Sequence, residues 1–446
     1  MPRTRPPRPP IDALLVSERP LWPPAHGFAR HGSEIARSLL AGGWSVRIAS
    51  LERPDKRPPG PLARRWRAWP DATAQDIATT RSAWQGPLGP VRRKLAGHQG
   101  VTPDRVAGLL ALVRRYRPRA VVSFGPHGAV LLSCLTKLQD RPVLAWYAAD
   151  ELASFYASCA KRENPLTWPK LARQAAVFAG IEASFGPSLD VVVGVSPTDT
   201  HRLGAVTRAG EAVTIRNGVD LKAFRPCRTP IKQPIVGFWG QLDFTPNADA
   251  LRWFTQQVWP RVRAEAPKSE LRILGPGGDK LRKRLAKARG VRWIGYVDDL
   301  PAALRELAVA VTPTRCGLGI KNKLLEAAAT GLPTLASPPA VRGLRFDPQR
   351  SPFTLCRTPT EWTRGLLDAF ARPEAARMQG LTARRWAQRR HSWMKAAERL
   401  AWAIETAEAR LAGRPAPTDP RLRSEPESAP PIPMPASTST ANRHAA

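Results

Sequence analysis

Acidic residues are scarce in this chain: 36 Asp and Glu stand against 69 Lys and Arg, a formal net charge of +33. A deficit of that size draws the molecule toward anionic lipid surfaces, nucleic acid or polyanionic glycans. Long apolar runs are also missing. No stretch approaches the roughly 18 residues that read as a membrane-spanning helix, so none is expected. The opening M-P-R-T-R-P-P-R-P-P has basic residues with no apolar core behind them, and a secretory signal is not expected. The five cysteines, at 134, 159, 227, 316 and 356, are scattered without metal spacing and read as reduced thiols of a cytosolic protein. The seven histidines form no H-x-x-H or Cys/His cluster, so no metal site is expected. Aromatic residues do not interleave with the basic ones as in nucleic-acid modules, and no specific nucleic-acid partner is expected.

What is there reads as globular. Hydrophobic residues make up 43% of 446, enough for two or three domains with real cores. Pro-rich ends predict disordered tails at 1–10 and 412–446. Between them, short apolar runs alternate with helical stretches. The expected strands are I-D-A-L-L-V-S (11–17), W-S-V-R-I-A-S (44–50), A-V-V-S-F-G (120–125), P-V-L-A-W-Y (142–147) and D-V-V-V-G-V-S (190–196), with a helix over 33–40 and another near 104–116. A second series follows at 235–239, 271–275, 291–295, 308–312 and 353–356, and helices over about 359–410 close the chain. This alternation predicts parallel α/β sheets, whose ligands sit beyond the carboxyl ends of the strands.

The stretch the rest is organised around is T-R-C-G-L-G-I-K-N-K-L-L-E-A-A-A-T-G-L-P-T-L-A-S-P (314–338). A strand ending at Val311 leads through Gly317 and Gly319 into a helix over about 322–330, with Gly331 as its stop. Main-chain N–H groups and the helix dipole at such an opening suit an anion. Lys321 and Lys323 would add charge there, Arg315 a third, and Glu326 one turn on could accept hydrogen bonds from ribose hydroxyls.

These residues resemble the donor-site signature of glycosyltransferase family 4, and G-I-K-N-K is similar to one sub-branch of it. V-T-I-R-N-G-V-D-L-K-A-F-R-P (213–226), G-F-W-G-Q-L-D-F-T-P-N-A-D-A-L-R-W-F (237–254), L-R-I-L-G-P-G-G (271–278) and V-R-W-I-G-Y-V-D-D-L-P-A-A-L (291–304) agree with the family in order and spacing. The resemblance implies an α/β protein of GT-B architecture, two doubly wound Rossmann-like domains facing across a cleft. It divides the chain into an acceptor domain over 11–212, a nucleotide-sugar donor domain over 213–385, and a helix over 386–411 returning to the first domain. The implied activity is transfer of a hexosyl-type sugar from a nucleotide-sugar to a glycan or lipid-linked acceptor, retaining and without a metal or other cofactor, in envelope or exopolysaccharide assembly. Implied donor-binding residues are Gly240, Gln241, Asn247, Gly319, Ile320, Lys321, Asn322, Lys323 and Glu326. Gly27 and Arg30 fall where the family binds acceptor, and Asp150 and His127, each just past a strand, are the catalytic candidates.

The pattern is broken in two places. The first glutamate of the family's E-x7-E is Leu318 here, and an Arg/Lys pair of many members becomes Gln241 and Asn247. Lys321 and Lys323 would compensate from the helix side. A non-catalytic basic GT-B scaffold that binds anionic polymer or partner enzymes is the alternative, and a nucleotide-sugar epimerase the third reading. Finally, a Pro- and Arg-rich insertion over 52–70 carries P-L-A-R-R-W-R-A-W. As a helix it would put Leu62, Trp66 and Trp69 on one face beside Arg64, Arg65 and Arg67, suited to an anionic membrane surface at the inner face of the cytoplasmic membrane. Oligomeric state is not legible.

Overall fold

The structure is a computed structural model that describes residues 11–22, 27–52, 60–70, 89–160, 168–229, 231–285 and 288–420. The expected tails over 1–10 and from 421 on, and residues 53–59 of the insertion, lie outside the described residues.

Among the described residues seven strands build the first sheet: Ala13–Ser17 (β1), Val46–Ser50 (β2), Trp66–Ala68 (β3), Ala120–Phe124 (β4), Val143–Ala149 (β5), Val191–Gly194 (β6) and Glu211–Thr214 (β7). All are parallel, in the order β3-β2-β1-β4-β5-β6-β7. Every residue of β1, β4, β5 and β6 is buried, which is why these segments are unbroken apolar runs rather than alternating ones. The second sheet has the order β10-β9-β8-β11-β12-β13, from Ile235–Trp239 (β8), Glu270–Leu274 (β9), Val291–Gly295 (β10), Val309–Thr312 (β11), Thr334–Ala336 (β12) and Thr354–Leu355 (β13). It too is wholly parallel. The strand order reverses between β1 and β4 in one sheet and between β8 and β11 in the other, and the crevice for a ligand opens at such points. The two doubly wound sheets are those the resemblance implies.

Helix Trp393–Leu411 crosses back to the first sheet. Leu400, Ala403, Ile404 and Ala407 are buried in the same core as Leu15 and Tyr147. At its far end Glu408 takes two guanidinium bonds from Arg119, at 2.6 and 3.2 Å.

Several expectations need correction. The helix over 62–69 is not formed: Pro61–Arg65 makes a short helix, and Trp66–Ala68 then extends to pair with β2, Ile48 opposite Trp66. A strand alternates its side chains, so the common face of Leu62, Trp66 and Trp69 is lost. Leu62 is buried, Trp66 packs on the core, and the Trp69 indole N–H donates to the Arg105 carbonyl at 3.2 Å. Arg67 bonds the Tyr116 hydroxyl at 3.1 Å, and Arg64 is left exposed beside half-buried Arg65. The first helix begins at Gly27, not Ser33. The first sheet also runs on past 212, because Val213 and Thr214 are paired with β6. The closing helices are Pro359–Ala371, Pro373–Arg390 and Trp393–Leu411, so the helix that returns to the first domain starts at Trp393 rather than at 386. Prolines begin the first two, where a missing N–H costs nothing.

Candidate functional site

Loop 313–321 leaves β11 at the carboxyl end of the second sheet and turns into helix Asn322–Thr330. Gly331, at φ +66°, stops that helix, its N–H bonded to carbonyls of the last turn. At the other end the N-cap residue Lys321 makes no side-chain cap and Leu324 N–H bonds back to the Lys321 carbonyl at 2.9 Å, so the first N–H groups of the helix and the positive end of its dipole lie at the strand ends.

Lys323, in the first turn, places its ammonium 2.8 Å from Asn247 Oδ1 and 4.1 Å from the centre of the Phe238 ring. Asn247 in turn donates to the Gln241 carbonyl at 2.8 Å, while the Gln241 side chain is exposed. Gly240 joins the same group, for a Cβ there would sit 3.4 Å from the Lys323 ammonium. Burial, then the neighbouring Lys321 charge, pushes Lys323 down to about 7. Gly275 lies so close below that a Cβ would come within 2.0 Å of the Gly240 carbonyl oxygen, and only glycine fits.

Glu326, one turn on, is buried and held from both sides. The Trp239 indole N–H donates to its Oε2 at 2.6 Å, and Arg30 of the first domain forms an ion pair with its Oε1. Arg30, expected on the acceptor side, thus meets the donor-site carboxylate.

Other contacts also bridge the two domains. The Ser158 hydroxyl accepts from the Gly317 N–H at 3.1 Å, and Phe155 stacks on Phe244 with centroids 5.8 Å apart. The Asp150 carboxylate sits against Gly319, where a Cβ would be 1.8 Å from Oδ1. Within the stretch assigned to the second domain, Asn322 accepts from buried Asn217 at 2.8 Å. The thiols of Cys159 and Cys316 meet across the interface, and Cys316 is pushed up by that hydrogen bond first and by burial second.

Lys321 turns back onto the Leu318 carbonyl. Burial lowers its pKa against the opposing pull of Asp150 and Asp199. Asp150 is raised by burial, with Lys321 acting the other way. Asp199 rises to about 7 through burial and then the Asp150 charge, and its Oδ2 accepts from Ser196 at 2.5 Å. The loop lysine therefore faces two carboxylates of the opposite domain, and Lys323 is the more available cation. Leu318, where a glutamate stands in the family, is buried.

His127 precedes helix Gly128–Ser133, with Nδ1 2.9 Å from Glu18 Oε2. Arg315 turns to Asp249 at 3.4 Å and away from the lysines' role expected for it. Ile320 is buried and Gly27 starts the first helix. Among the described residues no group of three or more His, Cys, Asp or Glu could hold a metal ion.

Sequence spacing gave no sign of Ser158, Asp199 or the Phe155–Phe244 stack. Trp239 carried the one usable signal, an indole at the end of an apolar strand that enters a site.

Residues 233–367 match the family model described as Glycosyl transferases group 1. No curated protein matches the chain. Among solved structures, sucrose-phosphate synthase from Thermosynechococcus elongatus is 18% identical with a TM-score of 0.62, over 87% of this chain and 97% of that one. Anabaena HepE, in complex with UDP and glucose, is 13% identical with a TM-score of 0.60, over 88% and 98%. The α,α-trehalose 6-phosphate synthase of Burkholderia multivorans is 14% identical with a TM-score of 0.57, over 90% and 100%. With two parallel Rossmann-like sheets and a likeness in fold to these proteins over most of its length, the chain has the GT-B fold.

Proposed function

We propose that the protein is a retaining, metal-independent glycosyltransferase that moves a sugar from a nucleoside-diphosphate donor to a glycan or lipid-linked acceptor. The observation that carries this is the convergence of Lys323, Asn247 and an uncapped helix N-terminus, with Glu326 one turn away. The group 1 match over this same segment, and the UDP in the HepE complex, support the reading. Lys323 and the leading helix N–H groups would take the diphosphate and stabilise it as it leaves, which is preorganised electrostatics in a partly dry cleft. Glu326, fixed by Trp239, would accept from ribose hydroxyls once Arg30 withdraws. Asp150, raised by burial and facing the cleft from the other domain, is the polar group nearest a reacting sugar in this scheme. Work at the cytoplasmic membrane face, in envelope or exopolysaccharide assembly, fits the basic surface.

Titration with a panel of nucleoside diphosphates and nucleotide-sugars tests it. One base should stabilise the protein against heat, and Lys323→Ala and Glu326→Ala should each weaken that binding at least about tenfold. A specific observation favours a second reading, a non-catalytic scaffold: Glu326 is already satisfied by Arg30 and Trp239, and Leu318 replaces a carboxylate. No stabilisation by any nucleotide, with polyanion binding indifferent to Lys323→Ala, would select it.

A further inference from the structure

Helix Leu152–Ala160 turns one face to the second domain. Phe155, Ser158 and Cys159 stand at i, i+3 and i+4, so they share that face. Each meets a group from the other side of the cleft. Phe155 stacks on Phe244, the Ser158 hydroxyl accepts from the Gly317 N–H at 3.1 Å, and the Cys159 thiol is hydrogen-bonded to Cys316. Two successive residues of the first domain thus meet two successive residues of loop 313–321. Gly317 is itself close against the helix, for a Cβ there would lie 3.4 Å from the Phe155 ring.

The two sulfurs have no part in the donor scheme. Both residues are buried, Cys159 at 2% exposure and Cys316 at 5%. A free thiol packs as a small hydrophobe and donates only weakly, so what two facing thiols add beyond packing is their chemistry. The other three cysteines turn to main-chain carbonyls instead: Cys134 to Val130 at 3.5 Å, Cys227 to Arg305 at 3.0 Å, and Cys356 to Thr354 and Glu361 at 3.9 and 3.8 Å. Lys321 lies close enough to both Cys159 and Cys316 to interact with their charge.

We infer that Cys159 and Cys316 form a reversible disulfide that latches the two domains in the closed arrangement. A peroxide supplies the oxidising equivalents. One sulfur attacks the O–O bond and becomes a sulfenic acid, releasing water; the second sulfur displaces the hydroxyl as another water and the S–S bond forms. Two thiols and one hydrogen peroxide become one disulfide and two waters, and a dithiol reductant returns the thiols. The hydrogen bond to Cys159 and burial keep Cys316 protonated while the domains are joined. The first step therefore belongs to moments when the cleft parts and solvent reaches the loop, and renewed closure brings the sulfurs together for the second. Transient bonds of this kind are the ones found in reducing compartments. Once made, the bond would hold Arg30 on Glu326.

Peptide mapping and hydrogen exchange of the full chain test this independently of any transfer activity. After treatment with hydrogen peroxide, non-reducing mass spectrometry should find a Cys159–Cys316 linked peptide that dithiothreitol removes. The Gly317 amide, whose bond to Ser158 crosses the cleft, should exchange at least about tenfold more slowly in the oxidised protein and recover on reduction. Cys316→Ser and Cys159→Ser should each lose both effects, with reduced-state thermal melts close to the wild type in at least one of them. Absence of the linked peptide at peroxide doses that oxidise half-buried Cys227 would overturn the inference, as would linkage through any other cysteine. A linked protein whose Gly317 amide exchanges as in the reduced form would refute the latch, and so would slowing that survives in both variants.

Discussion

Lys323 shows how one ammonium can be both costly and useful. It sits over the Phe238 ring with a single neutral oxygen, Asn247 Oδ1, as its hydrogen-bond partner, and burial with the Lys321 charge brings it down to about 7. Between that value and its ordinary 10.5 the unfolded chain binds the proton and the folded one does not, so this group makes stability rise with pH across the window. A diphosphate reverses the balance, because an anion favours the charged form. Nucleoside-diphosphate binding is therefore expected to take up a proton above pH 7 and to weaken as pH rises from 7 to 9. Calorimetry in buffers of different ionisation enthalpy measures that uptake; Lys323→Ala should abolish it, and a pH-independent affinity in the wild type would refute the assignment.

At the scale of elements, loop 313–321 is shaped by what faces it. Gly319 is at φ +72°, a conformation costly for residues with a Cβ, and the Asp150 carboxylate occupies the space a methyl would need. Gly319→Ala should destabilise the fold by about 1–2 kcal/mol from backbone strain alone, and more through the clash. Adding Asp150→Gly should recover the clash and not the strain, so thermal melts of the single and double variants separate the two. Helices Leu152–Ala160 and Trp168–Phe185 follow Asp150 in the chain and pack on one another. There Glu182, fully buried, accepts from Leu152 N at 3.0 Å and is pushed up to about 8 by burial and then by the Glu151 charge. A raised acid gives stability that is complete below its unfolded value of 4.5 and is lost as pH climbs through about 8. Glu182→Gln should thus melt higher than the wild type at pH 9 and gain nothing at pH 5.

Across the whole molecule, the two domains are closed on one another through Arg30–Glu326, Ser158–Gly317 and Phe155–Phe244. The first of these uses the carboxylate that the transfer reading gives to ribose. If both hold, Arg30 and the nucleotide compete for Glu326, and Arg30→Ala should tighten nucleoside-diphosphate binding severalfold while lowering turnover. Titration calorimetry beside a transfer assay reads both; weaker binding in the variant would mean that Arg30 contacts the nucleotide directly. His31 is part of the same closure. It lies between Tyr147 and Trp393 at 6.0 and 5.6 Å and is brought down to about 4 by burial, then by Arg30, so it is neutral wherever the domains are joined near neutral pH.

The buried strands were legible because a parallel sheet covered on both faces needs unbroken apolar runs, and V-L-A-W-Y or I-V-G-F-W can be little else. Helix Asn322–Thr330 was legible from Gly331 and its spacing, since a left-handed stop is a local matter of one residue without a Cβ. Residues 62–69 misled for the opposite reason. Their i, i+4, i+7 pattern is a local signal, and pairing with the open edge of β2, a long-range contact, outweighed it. The sequence by itself therefore determined the two α/β sheets, the anion-ready helix start and the excess of positive charge. Which partners Lys321, Asp150, Glu326 and Arg30 meet was decided only by the tertiary structure, because each answers a group brought from the other domain, and no spacing along one chain encodes the closing of two.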